Sequence, residues 1–312
     1  MNSIVEVKKL SHKYSVQWAI QDINFEINQR GILGLLGSNG AGKSTCMNII
    51  CGVLKQTSGQ VLINGIDILE NPVEAKRNIG FLPQKPPLYL DYNVDEYLTY
   101  CAKLHLMDKK KIKSAIEYAK ERTGITHFSK RLIRNLSGGY QQRVGIAQAI
   151  VHNPKFVVLD EPTNGLDPNQ ILEVRKLIKE ISEDHAVLLS THILSEVEAI
   201  CDDIKMIEHG QLVFSGTMDD FHKTVKPDTF ILKLDNPPQE EEIVKIAPVV
   251  RIKSVDENTF KGQVSSEDQL PIIAEACVNN GWGLREISME KILLDEIFAQ
   301  LSGKRTINKF EE

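Results

Sequence analysis

No stretch of the 312-residue chain approaches the ~20 consecutive apolar residues that a membrane-spanning helix needs, so the sequence does not read as a membrane protein in its own right. The opening residues, MNSIVEVKKL, lack a basic head leading into an apolar core and do not read as a secretory signal. Its five cysteines (Cys46, Cys51, Cys101, Cys201 and Cys277) are scattered and form no C-x-x-C pair. That excludes a disulfide framework and favours reduced thiols in a cytosolic protein. The eight histidines do not fall in metal-ligand spacing with cysteines or carboxylates, so no zinc site is expected. Positive charge is not in excess either. A formal net charge of −5 argues against a general nucleic-acid coat, and no nucleic-acid partner is expected. Neither a solenoid-period repeat nor a low-complexity tract is present.

With 42% hydrophobic and 25% charged residues, the composition is that of a globular chain with enough apolar material for a sizeable core. The length suggests two domains, at about 100–200 residues each. IVEVKKL and AIQDINFEI alternate apolar and polar residues, the period-2 signal of half-buried antiparallel strands. GILGLLG is an apolar run that feeds a glycine-rich loop and a helical stretch. FVVLD and AVLLST are short, branched and continuously apolar, as central parallel strands covered on both faces are. Between them, PNQILEVRKLIKEISED places Ile171, Val174, Ile178 and Ile181 on one helical face, with Asp167 as cap and Pro168 in the first helical position. The pattern predicts an α/β fold with a parallel sheet. A helical insertion is expected at about 86–134. After residue 222 strand-like TFILKLD, VVRIKSV and TFKGQVS alternate with helix-like EEEIVKIA and QLPIIAEACVNN. Hence the expected division is a nucleotide-binding domain over 1–222, a small open-faced α+β domain over 223–303, and a tail over 304–312. KPD at 226–228 reads as the linker.

The strongest single signal is the run Gly37, Ser38, Asn39, Gly40, Ala41, Gly42, Lys43, Ser44, Thr45, which fits G-x-x-x-x-G-K-[ST]. Its glycines let backbone N–H groups curl around phosphate oxygens, and the next helix presents its positive end to the same anion. Lys43 reaches β- and γ-phosphates as a point charge, and Ser44 offers a hydroxyl to Mg²⁺. Kinases, GTPases and motors share this loop. Alone it says only that a nucleoside triphosphate is bound. Phe156–Asp160 is an apolar strand ending in an acid placed to hold Mg²⁺. Glu161 comes next, aimed differently by strand alternation, and is a candidate general base. The plainer alternative is two adjacent acids that end a strand and cap the next segment.

Leu136-Ser-Gly-Gly-Tyr-Gln-Gln-Arg143 resembles the signature sequence of ABC (ATP-binding cassette) ATPases. Ser137, Gly138 and Gly139 open a helix and so form a second anion site. Tyr140 stands where glutamine is commonest in that family. Four more positions match the family's pattern. Gln84 matches the glutamine that touches magnesium or water, Leu166-Asp167 the loop that crosses the dimer interface, and His192 the γ-phosphate-sensing histidine. Tyr14 matches the aromatic that stacks on adenine; an aromatic in an early strand also packs structurally. The resemblance implies a Mg²⁺-dependent ATPase built on the P-loop cassette. ATP would be sandwiched between the phosphate loop of one subunit and the signature of a second ATPase subunit, either an identical copy or a close homologue. It implies Glu161, His192, Gln84 and Lys43 as catalytic residues, and Ser44, Gln84 and Asp160 around the metal.

The resemblance also implies a separate transmembrane permease subunit, with the chain held peripherally on the cytoplasmic face through it. The docking groove would lie in the helical insertion, where PPLYLDYNVDEYLTY supplies aromatics that line a cleft or pack the insertion's own core. Ile292–Gly303 resembles the ending of ABC-2 type ATPase subunits, which serve mostly as exporters. The alternative is a non-transport ABC ATPase acting as a switch on a macromolecular complex. Ribosome-acting members resemble two cassettes on one chain, and DNA clamps carry long heptad insertions; this sequence has neither feature.

Overall fold

In the computed structural model, which describes residues 3–224 and 229–290, the alternating opening forms an antiparallel pair, β1 (Val5–Tyr14) and β2 (Gln17–Ile27). Its inward positions, Val5, Val7, Leu10, Ile20, Ile23 and Phe25, are buried. The strand β3 (Gly31–Leu36) and the helix α1 (Lys43–Ile50) come next, then β4 (Ser58–Ile63) and β5 (Ile66–Asp67). These last two complete a four-stranded sheet in the order β2-β1-β4-β5. The chain continues through α2 (Pro72–Lys76) and β6 (Ile79–Leu82), the expected helical insertion with α3 (Val94–Leu104) and α4 (Lys109–Thr123), and α5 (Gly138–Ile150).

The core strands then alternate with helices: β7 (Phe156–Asp160), α6 (Pro168–Ser182), β8 (Ala186–Thr191), α7 (Leu194–Ile200), β9 (Asp203–Glu208) and β10 (Gln211–Thr217). A six-stranded sheet runs β10-β9-β3-β8-β7-β6. Every pairing in it is parallel except the edge hairpin β9–β10. Every residue of β7 and β8 is buried, as their unbroken apolar runs require. In such sheets ligands gather beyond the carboxyl ends of the strands. β3, β6, β7 and β8 deliver Gly37, Gln84, Glu161 and His192 to that edge.

Asp167 caps α6 by accepting a hydrogen bond from the Gln170 amide at 3.0 Å, and Pro168 holds the first turn. The buried face differs from expectation by one member. Val174, Leu177, Ile178 and Ile181 are buried, whereas Ile171 is half-exposed. Positions 174, 177, 178 and 181 satisfy the i, i+3, i+4, i+7 rule from a start one turn further in.

α3 starts with a capping box, in which the Asn93 side chain accepts from the Glu96 amide at 2.9 Å and Glu96 accepts from the Asn93 amide at 2.9 Å. Lys120, in α4, is 2% exposed. Its ammonium donates to Asp95 (2.7 Å), Glu117 (2.9 Å) and the Ser129 hydroxyl (2.9 Å). Burial opposes ionisation of Asp95, but hydrogen bonds from Lys120 and Lys130 outweigh it and hold the carboxyl below its ordinary range. A depressed carboxylate stabilises the fold above its unfolded-state pKa and loses that contribution as pH falls through the folded value. Lys120→Ala leaves Asp95 without its buried partner and is expected to cost about 2–3 kcal/mol, below the 3–5 of a fully buried pair because the acids are partly exposed. Urea unfolding at pH 7 and at pH 3.5 checks this: the difference between wild type and variant should shrink at the lower pH.

A second compact unit begins at Asp219, with most of α8 (Met218–Thr224) leading into it. It contains β11 (Thr229–Leu234), α9 (Glu240–Val244), β12 (Arg251–Ser254), β13 (Thr259–Gln263), α10 (Leu270–Asn279) and β14 (Leu284–Met289). The βαββαβ order and the antiparallel sheet β12-β13-β11-β14 make this a ferredoxin-like arrangement. Phe230, Leu232, Leu234, Phe260, Ile273 and Cys277 form its core. Gly262 is needed there, because a Cβ at that position would come within 2.3 Å of the Phe230 ring. β14 is a strand that the sequence pattern does not announce. The expected linker at 226–228 and the segments 292–303 and 304–312 lie outside the described residues.

Candidate active site

The loop Gly37–Thr45 joins β3 to α1, whose first residue is Lys43. Two of its glycines are imposed by neighbours. A Cβ on Gly37 would sit 2.3 Å from the Ile207 carbonyl, and one on Gly42 (φ 112°) would strike Ile20 and the Ala19 carbonyl. The loop is therefore braced by the β2 and β9 backbones. Gly210, at the β9–β10 turn, adds a hydrogen bond from its amide to the Ala41 carbonyl at 2.9 Å. Lys43 is 5% exposed. It donates to the Gly37 and Ser38 carbonyls at 2.7 and 3.0 Å. Burial pulls its pKa down, with Glu161, Asp160 and Glu208 opposing.

Asp160 ends β7, buried, and accepts a hydrogen bond from the Ser190 hydroxyl at 2.9 Å. Burial raises its pKa, opposed by the Ser190 hydroxyl and by the nearby Ser44 side chain. Glu161 parts from Asp160 by a route other than strand alternation. β7 has already ended, and Glu161 takes a left-handed backbone (φ 46°), uncommon for a residue with a Cβ. Its Oε2 accepts from Gln84 Nε2 at 2.8 Å and Asn164 Nδ2 at 3.2 Å, and its Oε1 lies 3.0 Å from His192 Nδ1. Three neighbours thus fix one carboxylate.

Gln84, Glu161 and the phosphate loop border a cavity of about 620 Å³ whose lining includes Tyr14, Asn39, Gly40, Gly42, Lys43, Ser44 and Thr45. Ala41 is packed behind the loop. Tyr14, at the end of β1, is half-exposed, with its ring edge-on to His12 at 4.7 Å. A second cavity, of about 300 Å³, is lined by Ser137, Gly139, Tyr140, Arg143, Asp167 and Gln170, among others. Ser137 stands at the N-cap position of α5, with no side-chain hydrogen bond to the helix, and Gly138 opens it. A Cβ on Gly139 would press on the Gln170 amide at 2.7 Å. The two cavities share no lining residue. The predicted site residues are therefore split: Lys43, Ser44, Gln84, Asp160, Glu161 and His192 gather in one place, Ser137, Gly138, Gly139 and Asp167 in another.

Residues 20–164 match the family model described as ABC transporter. The chain is 32% identical over 311 residues to the bacitracin transport ATP-binding protein BcrA of Bacillus licheniformis, covering 98% of this chain and all of that one. The chain belongs to the ABC transporter family. The linearmycin resistance ATP-binding protein LnrL of Bacillus subtilis is 28% identical over 96% of this chain and 99% of its own length. Among solved structures, CbiO1 of Clostridium perfringens, part of the ABC transporter complex CbiONQ, superposes with a TM-score of 0.65 at 30% identity, covering 72% of this chain and 92% of that one.

This ABC subunit binds ATP and is an ATPase, an ATP-binding subunit of a transporter. The expected parallel core, antiparallel layer and helical insertion are those of the cassette fold. Sequence reasoning missed part of the site. Trp18 and His209 also line the larger cavity. Glu208, at the end of β9, accepts from the Ser38 hydroxyl at 2.8 Å and so anchors the phosphate loop. Glu208 ends a strand as Asp160 does, but β9 (DIKMIE) carries Asp203 and Lys205 and lacks the unbroken apolar run that marks β7. Among the described residues no helix is long and apolar enough to cross a membrane.

Proposed function

We propose that this chain works as a dimer, with a second copy or a close homologue, that powers a separate membrane-spanning permease, and that the assembly is an exporter. The observation that carries the dimer is the division of the site between two cavities. A single γ-phosphate does not need two helix N-termini from one chain; facing chains would use both. The full-length likeness to proteins named for bacitracin transport and linearmycin resistance supports export. In this reading the chain sits on the cytoplasmic face, held by the permease.

Tyr14 stacks on adenine, a contact worth roughly 1–3 kcal/mol. Gly37 through Thr45 wrap the phosphates with backbone amides, and Lys43 turns from its loop carbonyls to phosphate oxygens. The donor set fits Mg²⁺, an oxygen-seeking cation: the Ser44 side chain lies near enough to influence the Asp160 carboxylate, and the Gln84 amide is close by on Glu161. Bound there, Mg²⁺ would neutralise charge on the phosphoryl oxygens. Glu161 takes a proton from the attacking water, held in place by Gln84, Asn164 and His192. Ser137, Gly138 and Gly139 of the facing subunit close over the γ-phosphate, with Asp167 beside them.

The aromatic stretch before and within α3 divides between two roles. Tyr97 is buried, its hydroxyl donating to the Pro87 carbonyl at 3.2 Å, whereas Tyr89, Leu90 and Tyr92 are substantially exposed. The exposed group supports permease docking through the insertion. The test is purification of the tagged full chain from detergent-solubilised membranes. A multi-span membrane protein is expected in stoichiometric amount, reduced about tenfold by Tyr89→Ala with Leu90→Asp. That tenfold corresponds to about 1.4 kcal/mol of docking energy. Recovery with ribosomes or DNA-processing factors instead would overturn the transport reading.

A further inference from the structure

Glu196 lies in the first turn of α7 and is 2% exposed, a carboxylate taken almost wholly out of water. Its Oε1 accepts from the Thr163 hydroxyl at 2.5 Å and its Oε2 from the Thr191 hydroxyl at 2.7 Å. Arg175 of α6 stands 3.8 Å away and offsets its charge. The positions of these partners matter. Thr163 comes two residues after Glu161, and Thr191 directly precedes His192. Thr191 also accepts from the Ile193 amide at 3.1 Å, which ties the backbone on the far side of His192 to the same hydroxyl. The Thr163 carbonyl accepts from the Leu166 amide at 3.2 Å, in the turn that leads to Asp167.

We infer that Glu196 is a positioning residue that sets the Glu161–His192 separation from behind. The last backbone bond between the two segments runs from the Glu161 amide to the Ser190 carbonyl at 3.0 Å. Past that point, on the cavity side, they are joined by the 3.0 Å contact between Glu161 and His192. On the buried side this carboxylate and its two threonines join them. A buried carboxylate is costly unless its hydrogen bonds are complete. Glu196 therefore resists any shift of one segment that would strand an oxygen. The same clamp reaches Asp167 through the Thr163–Leu166 turn, linking the edge of the second cavity to the first.

This inference rests on the reading of Glu161 and His192 as the hydrolytic pair. The experiment uses the purified full chain and measures steady-state phosphate release, equilibrium ATP binding and thermal unfolding for Glu196→Gln, Glu196→Ala and Thr163→Val with Thr191→Val. Glu196→Gln keeps the shape but turns one acceptor into a donor. It is expected to lower kcat about tenfold or more while ATP affinity, set in the other cavity wall, changes less than about threefold. Glu196→Ala and the double threonine variant should match each other in kcat, and adding Glu196→Gln to the double variant should cost little more, because all three remove one clamp. A general packing role would instead lower the melting temperature, ATP affinity and kcat together, and that result overturns the inference. So does wild-type kcat in Glu196→Gln. Glu161→Gln is run in parallel: if it alone retains turnover, the hydrolytic assignment falls, whereas loss of turnover there with a normal Glu196→Gln rejects only the clamp. Should Glu196→Ala fail to fold, the threonine variants carry the same comparison.

Discussion

Glu161→Gln is expected to bind ATP within a few-fold of wild type, to lose turnover by about 100- to 10,000-fold, and to accumulate as a closed dimer with ATP. The size of the loss is that of a positioned general base. The variant should fold normally, because the site accommodates an amide. Gln84 and Asn164 both donate to Oε2, so the retained carbonyl oxygen goes there. The new amide nitrogen then faces His192 Nδ1, which accepts instead of donating by changing tautomer. Shape and hydrogen bonds survive; only basicity is lost. Phosphate release together with size-exclusion chromatography in ATP and Mg²⁺ gives both readouts. Turnover at the wild-type rate would take Glu161 out of the base role, and a monomer in ATP would remove the proposed sandwich.

Lys43→Ala should act on binding. Among the described residues that line the larger cavity, Lys43 alone carries a fixed positive charge. A hydrogen bond to a charged group is worth about 1.5–3 kcal/mol, so the direct loss is on the order of 10- to 100-fold in ATP affinity. A second effect adds to it. Lys43 is also the donor to the Gly37 and Ser38 carbonyls, so the alanine variant leaves the loop without an internal fastening. The loop keeps its outer supports at Gly37, Gly42 and Ser38, and the fold should survive. Titration with a fluorescent ATP analogue distinguishes the outcomes: an unchanged dissociation constant would show that the amides alone hold the triphosphate.

Much of this architecture is legible in the sequence wherever burial is uniform or strictly periodic. β7 and β8 declare themselves because both faces are covered, and β1 and β2 because one is. β14 does not. LREISM mixes charged and apolar residues without a clean alternation, and the strand, paired to β11, ends half-exposed. Lys120 sits in a lysine-rich helix; its spacing, four residues after Ile116, puts it on the buried stripe, but a lysine's charge argues for solvent until its acidic partners are seen. The phosphate loop, the signature and the strand-end acids are local patterns and can be read directly. The roles of Glu196 and Glu208 become visible only when the chain is folded, because each depends on a hydroxyl far away in sequence, Thr163 for one and Ser38 for the other.

The separation of the two cavities has a consequence for inheritance. If each site is assembled from the Lys43 side of one chain and the Ser137 side of another, a defect at either side damages both sites of a homodimer. Two defective alleles, one carrying Lys43→Ala and the other a blocked Ser137, would pair differently. The mixed dimer concentrates both lesions in one site and leaves the other wholly native, so two loss-of-function copies of the gene would partly restore each other.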